Sequence, residues 1–151
     1  MESETLKRAD KPLWVPDAAA VAGSNMRAFM DHVAARYGVA MGDYGDLHRW
    51  SVTARENFWS EIWDFCGLKG DRGARVLAQD TMPGAQFFPD ASLNFAENLL
   101  SRDGDSVALY FNNEGVNASP VTWTALRRDV ARFAAVLRGW GVVPGDRVAA
   151  F

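Results

Sequence analysis

Large apolar side chains recur at three- and four-residue steps between residues 53 and 67, and this stripe constrains the fold more than any other feature. Its members are Phe58, Trp59, Ile62, Trp63, Phe65 and Cys66. The spacing is that of one helix face, and so much aromatic area requires burial in a core or subdomain interface. Thr53 and Glu56 have the capping-box spacing that begins a helix, and Gly67 is placed to end it. We expect Cys66 to be a small buried hydrophobe.

Two further helices are predicted from the same periodicity. The first is capped by Ser24 and ended by Gly38, and the other covers about 124–140 and ends at Gly141. Their apolar stripes are Met26, Phe29, Met30 and Val33 in the first, and Leu126, Val130, Phe133, Ala134 and Leu137 in the other. The late arginines Arg127, Arg128, Arg132 and Arg138 fall on the second helix, and we interpret them as its solvated face.

Short strands are predicted after residue 104. The apolar run 107–111 suits a buried strand, and 121–123 suits the return strand of a hairpin across a turn at 112–115. A last strand is expected over 147–151. It would feed a parallel sheet that is covered on both faces, so we expect the core to be incomplete within these residues. A complete small α+β domain is the alternative.

The remaining segments are expected to be irregular. Residues 1–11 are charged and expected to be loose, and the proline-bounded segment 12–16 should be extended, with Trp14 packed on the body of the protein. Residues 42–46 and 67–91 are rich in turn-forming residues and are interpreted as loops. Ser92 is expected to open a short helix over 93–100.

Composition narrows the class of protein. Sixteen Lys and Arg against nineteen Asp and Glu leave a net charge of −3 without a basic run, so we expect no nucleic-acid partner. One cysteine allows no internal disulfide, which fits a reducing compartment. The polar N-terminus lacks a signal-peptide core, and no apolar run approaches the roughly 20 residues of a membrane span. We therefore expect a soluble, cytoplasmic protein.

The residue pattern assigns no catalytic, cofactor-binding or metal-binding residue. There is no glycine-rich phosphate loop, and one cysteine with two distant histidines provides too few soft ligands for zinc. His32 is interpreted as a surface or half-buried residue in mid-helix, and His48 as a structural residue in a turn. Asn94, Glu97 and Asn98 are interpreted as capping and inter-segment hydrogen-bonding residues, with a role in substrate or CoA approach as the alternative.

Three blocks of the sequence resemble the N-terminal part of acetoacetyl-CoA synthetases. The first block consists of 12–16 together with 24–26 and Phe29. The second consists of 47–52, 58–59 and 63–65. The third is 82–89, which leads into 93–100. The last forty residues are similar to the entry of the wider AMP-forming synthetase domain, with Val121-Thr122-Trp123 before a helix and 141–148 after it. Ala125 stands where that wider family more often has an acidic residue. The resemblance covers nearly all of the chain after residue 11.

The resemblance implies an α/β fold, α+β as truncated. A helical N-terminal cap would occupy 12–103, after a flexible 1–11. The first β-hairpin, helix and strand of an adenylate-forming large domain would occupy 104–151. It also implies a two-step ligase that uses acetoacetate, ATP, CoA and Mg²⁺. In that family the phosphate loop, the acid pocket and the catalytic lysine come later, so the segment alone is expected to be inactive and to bind none of these cofactors.

Two other functions are compatible with the sequence. The same type of ligase could act on acetate, propionate or another short acid, because the acid pocket lies outside these residues. Alternatively, the segment could be a non-catalytic interaction module whose exposed apolar surface is covered by a partner.

Overall fold

The computed structural model describes residues 12–112 and 120–150, in two compact units. The first unit holds residues 12–68 and 72–91, and the second holds 69–71 with the described residues from 92 onward. The first contains α1 (Ala18–Ala22), α2 (Asn25–Tyr37), α3 (Tyr44–Thr53), α4 (Arg55–Phe65), β1 (Leu77–Gln79) and β2 (Gln86–Phe87). The second contains α5 (Phe95–Leu99), β3 (Val107–Leu109), β4 (Val121–Thr122) and α6 (Trp123–Gly139). Helices with small antiparallel sheets confirm the mixed α/β class; residues 1–11 and 113–119 and the final residue lie outside the description.

Helix α2 begins and ends where the sequence predicts. Ser24 Oγ accepts a hydrogen bond from the Arg27 N–H at 3.1 Å, which satisfies one of the first free donors of the helix. At the other end Gly38 has φ +65°, and its N–H donates to the Ala34 carbonyl at 3.0 Å. Helix α1 was not predicted, because five residues dominated by alanine carry no apolar stripe; Asp17 caps it at Ala20 N.

The prediction for residues 42–56 was wrong in two respects. The turn-rich stretch leads directly into α3, so His48 lies in a helix rather than in a turn. The capping box is formed by Asp43 and Asp46: Asp43 Oδ1 accepts from Asp46 N at 3.0 Å, and Asp46 Oδ2 accepts from Asp43 N at 3.4 Å. Thr53 is therefore the last residue of α3, and its hydroxyl donates to the Arg49 carbonyl at 2.8 Å. Helix α4 begins without a side-chain cap.

Part of the aromatic stripe of α4 packs into the core of the first unit: Trp63 is buried and Phe58 and Ile62 pack against the core, whereas Trp59 and Phe65 are each 38% exposed. Phe29 of α2 lies 5.0 Å from Phe65 and 6.1 Å from Phe58 between ring centroids, both with the edge-to-face geometry that aromatic pairs favour. The buried apolar residues are Phe29, Met30, Val33, Met41, Leu47 and Trp63. Cys66 was predicted to be buried but is exposed, because α4 ends beside it and the chain turns away at Gly67 with φ +63°.

A hairpin lies inside the segment that the sequence assigned to loops. Strands β1 and β2 pair antiparallel, with Leu77 opposite Phe87. Strands of three and two residues are too short to show an alternating pattern, so the sequence did not reveal them. The extended segment before α1 was also misjudged in part. Trp14 is 76% exposed rather than packed on the protein body.

The short helix and the hairpin of the second unit follow the predictions with small corrections. Helix α5 is capped by Asn94, not by Ser92, which instead pairs with Asp71 through two backbone hydrogen bonds of 2.8 and 2.9 Å. Strands β3 and β4 form the predicted antiparallel pair. Helix α6 follows, with Thr122 Oγ1 accepting from Ala125 N at 3.2 Å, and the chain leaves it at Gly141 with φ +81°.

Burial in the second unit differs from the prediction. Among its described residues none is buried, and Phe133, on the expected inner stripe of α6, is 57% exposed. Residues 147–150 are not a strand, because the described residues contain no neighbouring strand to complete a hydrogen-bond ladder there. The late arginines do lie on an exposed surface, as predicted. No helix in the described part of the chain is long and apolar enough to cross a bilayer.

Candidate functional site

A buried carboxylate lies between α2 and α4 in the first unit. Glu61 is 1% exposed, and its two oxygens contact three side chains of α2, two through hydrogen bonds and one through an ion pair. His32 Nε2 lies 2.7 Å from Oε2, while Tyr37 Oη and Arg36 Nε lie 2.8 and 2.9 Å from Oε1. Every donor comes from little more than one turn of α2, so this Glu61 cluster joins the two helices at one point.

The electrostatics of the Glu61 cluster favour the ionised carboxylate. Burial opposes ionisation, but the hydrogen bonds from His32 and Tyr37 and the charge of Arg36 outweigh it, so the pKa of Glu61 lies below its ordinary value. Burial, and then the hydrogen bond to this carboxylate, raise the pKa of Tyr37. An efficient general base has a pKa near the working pH, and that of Glu61 is displaced the other way. The geometry therefore indicates a structural clamp rather than a base.

Sequence reasoning missed Glu61, although a signal was present. Glu61 follows Phe58 by three residues and precedes Phe65 by four, so it shares the buried face of α4. A charged residue in such a position must be paired, because an isolated buried charge is too costly. The partner His32 was interpreted as a surface or half-buried residue, and its side chain is 37% exposed.

An apolar pocket lies on another side of α4, also within the first unit. It has a volume of about 230 Å³ and is lined by Trp59, Ile62, Trp63, Leu68, Phe87 and Phe88. The pocket brings together two of the sequence blocks that carry the family resemblance, since ring centroids of Trp59 and Phe87 lie 5.4 Å apart and those of Trp63 and Phe88 5.2 Å apart. The wall consists of hydrocarbon and indole surface, so it suits an apolar group and offers no acid–base chemistry.

Phe88 has an uncommon backbone conformation at this pocket. Its φ is +47°, in the left-handed region, where a bulky side chain costs about 1–3 kcal/mol. The conformation is maintained by a 2.8 Å hydrogen bond from the Phe88 N–H to the Val76 carbonyl and by the contact with Trp63.

The polar residues of the short helix act as the sequence predicts. Asn94 Oδ1 caps α5 by accepting from Glu97 N at 3.1 Å. Asn98 holds a segment 29 residues earlier by hydrogen bonds to the backbone of Lys69. Capping is therefore confirmed for Asn94 and inter-segment hydrogen bonding for Asn98, while Glu97 contributes its backbone N–H to the cap.

Within residues 12–112 and 120–150, no group of three or more His, Cys, Asp or Glu side chains is arranged to hold a metal ion. The donor set of the Glu61 cluster does not fit one either, since Arg36 places a positive charge on the same carboxylate.

Comparison with known proteins gives concordant likenesses. The family described as acetyl-coenzyme A synthetase N-terminus matches residues 44–99, which include α3, α4, the β1–β2 hairpin and α5. The chain is 44% identical over 144 residues to acetoacetyl-coenzyme A synthetase of Rhizobium meliloti (strain 1021), covering 95% of this chain and 22% of that protein. It is 35% identical over 137 residues to malonamoyl-CoA synthetase vrtB of Penicillium aethiopicum, covering 85% and 19%.

A solved structure gives the same result. Acetoacetyl-CoA synthetase from Streptomyces lividans matches with a TM-score of 0.81 and 43% identity, over 91% of this chain and 22% of that one. The chain is thus similar to the N-terminal part of proteins of the acyl-CoA synthetase class. Within that class its likeness is to acetoacetyl-CoA synthetases. It spans about a fifth of the length of the relatives it matches.

Proposed function

We propose that this chain is the N-terminal segment of an AMP-forming acid–CoA ligase that converts acetoacetate, ATP and CoA to acetoacetyl-CoA, AMP and pyrophosphate. The observation that carries the proposal is the 44% identity across 95% of the chain to a protein of that name. A TM-score of 0.81 and 43% identity to a second acetoacetyl-CoA synthetase also support it.

The reaction divides into two steps in this proposal. The acid carboxylate attacks the α-phosphate of ATP, which forms an acyl-adenylate and releases pyrophosphate. The CoA thiolate then attacks the acyl carbon and releases AMP. Mg²⁺ would supply charge neutralisation on the phosphates, as phosphoryl chemistry of this kind generally requires.

The described residues contain no group of three or more His, Cys, Asp or Glu side chains that could hold a metal ion, and their buried carboxylate, Glu61, is engaged by α2. We propose that the sites for ATP, CoA, Mg²⁺ and the acid lie in a part of a longer protein that this chain does not include, as the family resemblance implies. The role proposed here for residues 12–103 is that of a cap region, with the AMP-binding domain beginning at 104. The single cysteine supports a cytoplasmic location.

An uncovered apolar surface on the second unit supports the same proposal. Its exposed large side chains include Leu109, Tyr110, Phe111, Phe133, Trp140 and Val148. Large apolar side chains favour burial, so this many exposed ones in a unit without a buried residue among those described suggest that other structure covers them. We propose that the remainder of a longer protein covers it.

A second candidate is the same ligase chemistry with another acid. The likeness to a protein named malonamoyl-CoA synthetase favours considering it, because 35% identity is shared with a relative named for a different acyl group. Acetate and propionate are further candidates, since we place the acid pocket outside these residues.

The test is a substrate panel on the longer protein that contains this chain. Acetoacetate, malonamate, acetate and propionate would each be supplied with ATP, CoA and Mg²⁺, and AMP and thioester would be measured. We expect the highest kcat/KM with acetoacetate and no turnover by the 151-residue chain alone. Preference for another acid would overturn the substrate, and absence of AMP with every acid would overturn the reaction class.

A further inference from the structure

Glu61 differs from the other ion-paired acids in the described residues. Each of those acids leaves about a third or more of its side chain exposed, from 34% for Asp46 to 82% for Asp103, whereas Glu61 leaves 1%. Exposed pairs contribute little to stability, because water screens them and ordering long side chains costs entropy. A buried carboxylate can stay ionised only if its partners stabilise the charge, because no water solvates it.

The cluster is also one-sided. His32, Arg36 and Tyr37 are the charged and titratable groups that contact Glu61 in the described residues, and all three lie on α2. Glu61 lies on α4, which on another side presents Trp59 and Trp63 to the apolar pocket. The attachment of α4 to α2 therefore includes one polar contact point that depends on one carboxylate.

We propose that Glu61 is an acid-sensitive latch: in its ionised state it holds α4 on α2, and protonation of this one carboxylate loosens the two helices. A protonated carboxyl carries its own O–H and loses acceptor capacity, so it cannot satisfy His32 and Tyr37 as well as the carboxylate does. It also removes the negative charge beside Arg36 inside the unit.

The sign of the pH dependence follows from the hydrogen bonds. Burial raises the pKa of Glu61, but its donors lower it by more, so the net value lies below the ordinary 4.5. A carboxylate whose pKa is lower when folded than when unfolded stabilises the fold at higher pH and loses that contribution as pH falls. The latch is therefore closed above pH 4.5 and opens in more acidic solution.

The experiment is amide hydrogen exchange of the 151-residue chain between pH 7 and pH 3, with rates corrected for the intrinsic effect of pH. Wild-type α2 and α4 should lose protection as the pH falls from 4.5 toward the lower pKa of folded Glu61, by at most about tenfold per pH unit, and Glu61 should cause no further loss below that pKa, where the folded and unfolded states are both protonated. Glu61→Gln should show low protection at pH 7 and a flat profile below pH 4.5.

The matched control is Asp90→Asn. Asp90 also has a pKa below its ordinary value, chiefly because of the hydrogen bond from Arg75, but the pair is exposed, so the α2 and α4 profile should keep its wild-type slope. Tyr37→Phe removes one neutral donor and should move the wild-type transition to higher pH, which keeps the test valid if Glu61→Gln fails to fold. Three outcomes would each overturn the latch. They are a wild-type pH dependence of α2 and α4 protection in Glu61→Gln, a loss of that pH dependence in Asp90→Asn, and a transition pH in Tyr37→Phe equal to that of the wild type.

Discussion

The side-chain amide of Asn98 bonds to both backbone groups of Lys69. Asn98 Oδ1 accepts from the Lys69 N–H at 2.8 Å, and Asn98 Nδ2 donates to the Lys69 carbonyl at 2.8 Å. Only a side chain with a donor and an acceptor side by side can do this, so the position calls for an amide. The contact ties α5 to a segment 29 residues earlier within the second unit.

Asn98→Asp should destabilise this connection. The carboxylate keeps the bond from Lys69 N but cannot donate to the Lys69 carbonyl, and it faces that oxygen with negative charge. A lost hydrogen bond costs about 1 kcal/mol, and an unfavourable polar contact adds to it. Faster exchange of the Lys69 amide would be the direct readout. Glu97→Gln on the same helix is the control and should leave that rate unchanged, because the Glu97 side chain is exposed.

The two candidate capping boxes can be separated by mutation. Asp43→Ala removes an observed cap of α3 and should lower the free energy of unfolding by about 0.5–2 kcal/mol. Thr53→Ala should cost less than about 0.5 kcal/mol, because its hydroxyl only bonds back to Arg49 at the helix end. Urea unfolding followed by tryptophan fluorescence measures both. A larger loss of unfolding free energy in Thr53→Ala than in Asp43→Ala would instead support the capping box that the sequence predicts at Thr53 and Glu56.

Two glycines with the same left-handed backbone should respond differently to alanine. At Gly38, φ is +65° and nothing lies within 4 Å of an added Cβ, so Gly38→Ala should cost only backbone strain, about 1–2 kcal/mol. At Gly73, φ is +72° and the added Cβ would lie 2.6 Å from Asp90 Cβ and 2.9 Å from its backbone carbon, so Gly73→Ala should cost clearly more. Thermal unfolding of both variants tests the order, and equal losses would contradict the close approach.

The exposed surface of the second unit should make the isolated chain self-associate. Phe133→Gln with Trp140→Gln removes two side chains that are 57% and 74% exposed, and we expect self-association to weaken by tenfold or more, equivalent to about 1.4 kcal/mol. Val21→Gln, an exposed apolar residue of the first unit, is the control and should have little effect. Light scattering after gel filtration measures the outcome, and a wild-type chain that stays monomeric would contradict the prediction.

Features that depend on near neighbours in the chain were predictable from the sequence. Ser24 and Gly38 bound α2, Gly141 follows α6, and the β3–β4 hairpin forms where the apolar runs indicate. Each is set by hydrogen bonds or periodicity within a few residues, which the residue types reveal. The family resemblance was likewise carried by short blocks of residues, and the comparisons confirm it.

Other features were decided only by the tertiary structure, because they depend on segments far apart in sequence. The capping box forms at Asp43 rather than at Thr53, because residues 44–53 are themselves helical and this helix buries Leu47. Glu61 could be buried only because α2 delivers three donors to it, and Phe87 and Phe88 reach α4 through a hairpin too short to detect. By itself the sequence determined the local elements and the resemblance to acetoacetyl-CoA synthetases. Packing decided which side chains are buried and which polar groups form contacts. The reason is that a side chain becomes buried only when a second segment of the chain covers it.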